Sequence, residues 1–151
     1  MSFYSRDDFS PDNSVGYLTK RVFQASLQGM APLFDEEGLS YLQWSALVSI
    51  WFDRGPTCAS LARDLGHDAG ATTRLIDGLE QRGLVARVRS EEDRRVVNLS
   101  LTHAGAEMAR TVRLRVIDWW NERLAGWERA DVERLVGYLQ RLRGELEAPC
   151  A

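Results

Sequence analysis

Apolar residues recur at helical spacing through most of the 151-residue chain. Val15, Leu18, Val22, Leu27 and Met30 form one such stripe behind Ser14, and the acidic stretch Asp35-Glu36-Glu37-Gly38 ends it just after Phe34. Ser40 and Gln43 have the spacing of a capping box, and Leu39 with Trp44 fits the hydrophobic staple that accompanies one. The helix they open runs to about Phe52 and stops at Gly55-Pro56. Thr57 caps a short helix through Leu65, with Gly66 as its left-handed end. Asp68 caps the next, Ala69 to Arg82, which Gly83 closes. Two short helices joined by Leu65-Gly66-His67-Asp68 make a helix-turn-helix.

After Gly83 the period changes from 3.6 to two. Leu84, Ala86 and Val88 alternate with Val85, Arg87 and Arg89, and Val97, Leu99 and Leu101 alternate with Val96, Asn98 and Ser100. Between them lies the polar run Ser90-Glu91-Glu92-Asp93-Arg94-Arg95, so the segment predicts a β-hairpin with a charged tip. Thr102 then caps a long helix that reaches about Leu124, before Gly126. A last helix, about Arg129 to Leu146, carries Val132, Leu135, Leu139, Leu142 and Leu146 at alternating intervals of three and four, the seam of a coiled-coil-like contact. Such a seam alone more often serves an intramolecular core than a dimer. The fold class is mainly α with a small β-hairpin wing.

The helix Ala69–Arg82 has two distinct faces. At 100° per residue Thr72, Leu75, Ile76 and Leu79 gather on one side, while Gly70, Thr73, Arg74, Asp77 and Gln81 gather on the other. The first side is the predicted core stripe. The second is small and polar near its start, as a helix needs to be if its backbone is to enter a major groove about 12 Å wide. Arg74 can pair bidentately with guanine, Ala69, Ala71 or Thr73 can meet a thymine methyl, and the free amides at Asp68–Ala71, Gly70 among them, suit a phosphate.

Total charge points the other way at first. The chain carries 19 basic and 22 acidic residues, a net −3, which argues against nucleic acid. Residues 54–115 nevertheless hold eleven arginines against eight acids, a local +3, and the flanks hold the remaining −6. Arg87, Arg89, Arg94 and Arg95 converge on the hairpin, where a basic loop suits a narrow minor groove. Asp93 would repel phosphate there, so its expected role is to orient a neighbouring arginine through an ion pair; Glu91 and Glu92 are expected to face solvent. All fourteen aromatic residues lie outside the basic middle, at or before Phe52 or at or after Trp119.

The set of motifs resembles the MarR family of winged-helix transcription regulators. Leu39-Ser40-Tyr41-Leu42-Gln43-Trp44 is similar to the opening of the family's second helix, and Leu61-Ala62-Arg63-Asp64-Leu65-Gly66 to its third. Thr72 through Val85 resembles its recognition helix and first wing strand, and Asp93-Arg94-Arg95 with Leu99-Ser100-Leu101-Thr102 and Gly105 its wing signature. The resemblance implies one domain over 1–151, with a winged helix-turn-helix over about 39–102 and dimerisation helices over about 10–35 and 103–148. It implies a homodimer on palindromic double-stranded DNA, a recognition helix in each of two major grooves, and Arg95 with Arg94 in the minor groove. A repressor of this kind would sit in the cytoplasm and be released by a small aromatic or phenolic ligand. Trp44, Trp51, Trp119 and Trp120 are the candidate lining of the effector pocket. One departure concerns the recognition helix, which in the family commonly opens with Ser or Lys and here reads Asp68-Ala69-Gly70-Ala71; Gly70 weakens the helix by roughly 1 kcal/mol relative to Ala and offers no side chain to the bases.

Other chemistry finds little footing. His67, His103, Cys58 and Cys150 have no zinc-ligand spacing, and there is no Gly-rich phosphate loop, nucleophile elbow or His with a serine or cysteine partner. No enzyme activity, metal or cofactor is expected. No run of about 20 apolar residues could span a membrane. Two alternatives stay open: a winged-helix module that binds a protein partner, favoured by the net acidity, and an oxidant-sensing repressor that uses Cys58, placed in the first turn of a helix where a thiol is activated.

Overall fold

The computed structural model describes residues 3–5 and 9–148. After a single 3-10 turn at Pro11–Asn13 come α1 (Val15–Asp35), α2 (Tyr41–Trp51), α3 (Cys58–Leu65), α4 (Ala69–Gln81), β1 (Val85–Arg89), β2 (Val97–Leu101), α5 (His103–Leu124) and α6 (Arg129–Glu147). Cys150, expected in a tail, lies outside the described residues.

Helix starts follow the capping chemistry. The Ser14 hydroxyl accepts from the Tyr17 amide at 3.2 Å. Ser40 and Gln43 close their capping box with bonds of 3.1 and 2.9 Å. Thr57 and Ser60 form a second box at the head of α3. Asp68 Oδ1 accepts from the Ala71 amide at 2.8 Å. Each bond satisfies an amide that the helix itself leaves unpaired. Gly66 ends α3 at φ +65° and Gly83 follows α4 at φ +69°, the left-handed geometry that Gly adopts without steric cost.

The chain divides into two units, one through Val116 and one from Ile117. In the first, α2, α3, α4 and the hairpin close over a core that includes Leu47, Leu61, Thr72, Ile76, Leu79, Leu84, Val85 and Leu99. Val112 and Val116 extend it into α5. The hairpin is antiparallel, with Val85 opposite Leu101, Arg87 opposite Leu99 and Arg89 opposite Val97. The alternation left the inner face of β1 open, and burial decides it: Val85 and Leu99 are buried while Val88 is 51% exposed. The inner face therefore belongs to Val85, Arg87 and Leu99, and the set Ala86 and Val88 points outward. An arginine is tolerated inside because carboxylates meet it there, as described below.

Large apolar side chains remain uncovered on several helices, α1 and α6 foremost. On α1, Val15, Tyr17, Leu18, Val22 and Phe23 are exposed. In the second unit α6 has no buried residue, and Leu135, Val136, Tyr138, Leu139 and Leu146 are all exposed. The seam read from the sequence is thus not an intramolecular core.

Candidate nucleic-acid interface

The two faces of α4 separate as the helical periodicity requires. Thr72, Ile76 and Leu79 are fully buried. Asp68, Ala69, Gly70, Thr73 and Arg74 are exposed, and Ala71 is half-buried. The Thr73 hydroxyl donates to the Ala69 carbonyl at 2.8 Å, so its hydrogen-bonding capacity is turned back on the helix. Thr72 does the same toward Asp68 at 2.9 Å, which lets a hydroxyl sit at zero exposure in the core. Gly70 has its own local reason: a β-carbon there would lie 3.2 Å from Asp68 Oδ1 and 3.8 Å from Arg74 Nη1. The hydrogen bond from the Ala71 amide, with help from the Gly70 amide and the Arg74 charge, holds the Asp68 carboxyl below the ordinary carboxylate range against the opposing desolvation.

The wing tip is ordered by short side chains. Ser90 Oγ accepts from the amides of Glu92 at 3.2 Å and Asp93 at 3.3 Å, and Val96 donates back to the Asp93 carbonyl at 2.9 Å. The ion pair expected of Asp93 does not form among the described residues. Asp93 Oδ1 instead accepts from the Arg95 main-chain amide at 2.9 Å, in the geometry of an Asx turn. Arg95 itself is exposed. Glu91 and Glu92 are exposed, as expected of a solvated pair.

Four arginines were expected to face DNA together on the hairpin, and the structure separates them. Arg89, Arg94 and Arg95 are exposed and form no salt bridge among the described residues. Arg87 instead reaches α4, where it donates to Asp77 at 2.7 Å and to Glu80. Its side chain is only 26% exposed. Hydrogen bonding to Asp77 and Glu80 outweighs the desolvation and strengthens its hold on the proton. Arg87 thus ties the wing to the helix beside it. The sequence reading missed Asp77 and Glu80 as its partners, although two carboxylates three apart on one helix face are a signal that a cation is near.

A cavity of about 860 Å³ lies beside the helix-turn-helix. Phe23 and Leu27 of α1 line it, with Tyr41, Trp44 and Val48 of α2, Phe52 just past that helix, Asp64 and Leu65 of α3, and His67 in the turn after it. Phe34, Tyr41 and Trp44 form an aromatic cluster with centroids 5.4 to 6.1 Å apart. Asp64 accepts from Ser49 Oγ at 2.6 Å and lies 3.8 Å from Arg54. Trp44 Nε1 is buried with no hydrogen-bond partner. Of the four tryptophans expected to share one pocket, Trp44 alone lines this one. Trp51 instead borders a smaller cleft with Leu99, Leu101 and Ala106, and the Arg113 guanidinium sits 5.9 Å from its ring. Trp119 and Trp120 belong to the second unit, edge to face at 5.0 Å, with Arg123 3.6 Å over Trp119.

Cys58 is a half-buried free thiol in the first turn of α3. Among the described residues no three His, Cys, Asp or Glu side chains are grouped to hold a metal ion, and no helix is long and apolar enough to cross a membrane.

The comparison with known proteins agrees with this arrangement. The model of the MarR family matches residues 39–97, from the head of α2 through the wing. The organic hydroperoxide resistance transcriptional regulator of Bacillus subtilis is 33% identical over 100 residues, 66% of this chain and 68% of that protein. The chain belongs to the MarR family. Apo wild-type MarR from E. coli is similar in structure, with a TM-score of 0.73 and 26% identity over 85% of this chain and 96% of that one. CouR from Rhodococcus jostii RHA1, solved with p-coumaroyl-CoA, gives 0.78 and 25% identity over 88% and 94%. This MarR-family chain is a DNA-binding transcription regulator of the winged helix-turn-helix class and not an enzyme.

Proposed function

We propose that the protein is a homodimeric repressor that reads a palindromic operator with α4 and the wing, and that a small aromatic ligand releases it. The observation that carries this reading is the pairing of a small, polar α4 face bearing Arg74 with a wing whose Arg89, Arg94 and Arg95 are exposed and unpaired among the described residues. Arg74 reaches base edges from the major groove, and Arg95, with Arg94, enters the adjacent minor groove. Asp68, Ala69, Gly70 and Ala71 bring the amino end of α4 up to the backbone. Dimerisation is supported by the uncovered apolar residues of α1 and of α6, which a single chain leaves in water.

Ligand release is supported by the aromatic cavity and by the buried Trp44 N–H, which lacks an acceptor that a carbonyl or phenolate oxygen would supply. CouR, solved with p-coumaroyl-CoA, is a structural relative that holds an aromatic acyl thioester. A second reading, release by oxidation of Cys58, draws on the B. subtilis relative named for organic hydroperoxide resistance.

Mobility shift on the DNA upstream of the protein's own gene, at two salt concentrations and with Arg74→Ala and Arg95→Ala, tests the reading. Weakened binding in both variants with steep salt dependence is expected. Unchanged affinity in both would favour a protein-binding winged helix.

A further inference from the structure

The carboxyl end of α4 is held by a turn far from it in sequence. Arg82, the residue that caps α4, donates from Nη1 to the Gly38 carbonyl at 2.8 Å and from Nη2 to the Glu37 carbonyl at 3.2 Å. Arg115 of α5 grips the same turn by its side chains, 2.7 Å from Glu36 and 3.2 Å from Glu37. Both carbonyls lie just past the end of α1, where the helix dipole is negative and no intrahelical donor remains. Gly38 takes φ +61°, so the turn that presents its carbonyl suits glycine. A guanidinium fork spans two adjacent carbonyls in a fixed plane, which an ammonium cannot do. Arg82, Glu36 and Gly38 are exposed and Glu37 and Arg115 only half-buried, so their contribution to stability is modest. Geometry is what they supply.

We propose that the Glu36-Glu37-Gly38 turn is the joint that aims the recognition helix, with Arg82 as the positioning residue and Arg115 as the brace that holds the turn still. The inference rests on α4 being the element that reads DNA. A helix of 13 residues is about 20 Å long, so a tilt of about 5° at the Arg82 end moves the Asp68 end by about 2 Å. That displacement exceeds the tolerance of a bidentate contact from Arg74 to a base. The same turn leads directly into Ser40 and Tyr41, the cap and first residue of α2, both of which line the aromatic cavity. A shift of α2 would therefore reach α4 through this joint.

The test measures affinity for a duplex that the wild-type protein has selected from a random pool, across a salt series, for Arg82→Gln, Arg82→Lys, Arg115→Gln and the double variant Arg82→Gln/Arg115→Gln. Arg74→Ala serves as the control for α4. Arg82→Gln is expected to weaken binding about tenfold, the weight of one misaimed base contact, with the slope of log K against log salt unchanged. Arg82→Lys should recover only part of that loss. Because both arginines act through one turn, the double variant should bind little worse than Arg82→Gln alone. Hydrogen exchange should quicken at the Leu39 to Tyr41 amides in both single variants. A salt slope reduced by about one in Arg82→Gln would make Arg82 a phosphate contact and overturn the joint. Fully multiplicative losses in the double variant would overturn it too, with α4 still the reading helix. An Arg74→Ala variant that binds normally would remove the α4 reading, and the joint with it.

Discussion

A β-carbon on Gly105 would lie 1.9 Å from the carbonyl oxygen of Leu84. The first turn of α5 rests directly on the chain between α4 and the wing, and that carbonyl also accepts from the Thr102 amide at 3.1 Å. The Thr102 side chain serves both sides of the junction, donating to the Gly83 carbonyl at 2.6 Å and accepting from the Gly105 amide at 3.0 Å. Gly105→Ala is expected to lower unfolding stability by about 1–3 kcal/mol, because main chain and not a flexible tip must give way. Gly78→Ala, where a β-carbon meets nothing within 4 Å, should raise it by about 0.5–1 kcal/mol. Denaturant midpoints of the two variants check the contrast.

Arg74 and the wing arginines should fail in different ways. Arg74→Ala is expected to relax discrimination at one base pair by about 1–3 kcal/mol. Arg89→Ala should weaken all sequences alike and lower the salt slope by about one. Arg95→Ala should lose most on sites whose flanks are A·T-rich, where the minor groove is narrow. Anisotropy titrations on a panel of single-base operator variants separate the three.

Arg87 is expected to behave as a strut. Arg87→Ala frees the wing from Asp77 and Glu80 and should weaken operator binding while leaving the salt slope of the wild type. The pair is partly exposed, so the loss of folding stability should stay below about 1 kcal/mol. Asp77→Asn should add little to Arg87→Ala, since both remove the same tie. Separate, additive effects on affinity would show Arg87 acting on DNA directly.

The Asp68 cap should be visible in the pH dependence of stability. Its carboxyl is more acidic in the folded chain than in the unfolded one, chiefly through the Ala71 amide. The cap's contribution is therefore present above the ordinary aspartate pKa, about 3.9, and is lost as pH falls through the lower folded value. The difference in melting temperature between wild type and Asp68→Ala should hold constant from neutral pH to about pH 5 and shrink below pH 4. A difference that stayed level down to pH 2 would contradict it.

Trp44 and Trp51 give opposite expectations for a ligand in the aromatic cavity. Phenolic acids such as p-coumarate should quench part of the intrinsic fluorescence of the wild type. Trp44→Phe should abolish that component, and Trp51→Phe, two turns further along α2 at the smaller cleft, should keep it. Equal quenching in both variants would place the ligand elsewhere.

Much of the molecule is set by neighbours along the chain and can be read without its fold. Ser14, Ser40, Thr57 and Asp68 cap the helices they precede because each bond spans three residues. The buried stripe of α4 and its small, polar opposite face follow from helical period alone. What the sequence could not show is where long side chains go once distant segments meet. Alternation on β1 offered two faces, and carboxylates on α4 decided that Arg87 turns inward. Arg82 and its carbonyls are 44 and 45 residues apart, and Arg115 and Glu36 are 79 apart. Trp44 and Trp51 sit seven positions apart, close to one face of the same helix, yet α1 packs near the first and β2 near the second, which gives them different cavities. Local sequence determined which elements form and which α4 residues face water, because backbone hydrogen bonds and helical period act over a few residues. Tertiary structure decided which arginines are left free and which are tied, because a charge finds its partner only after the chain has brought the two together.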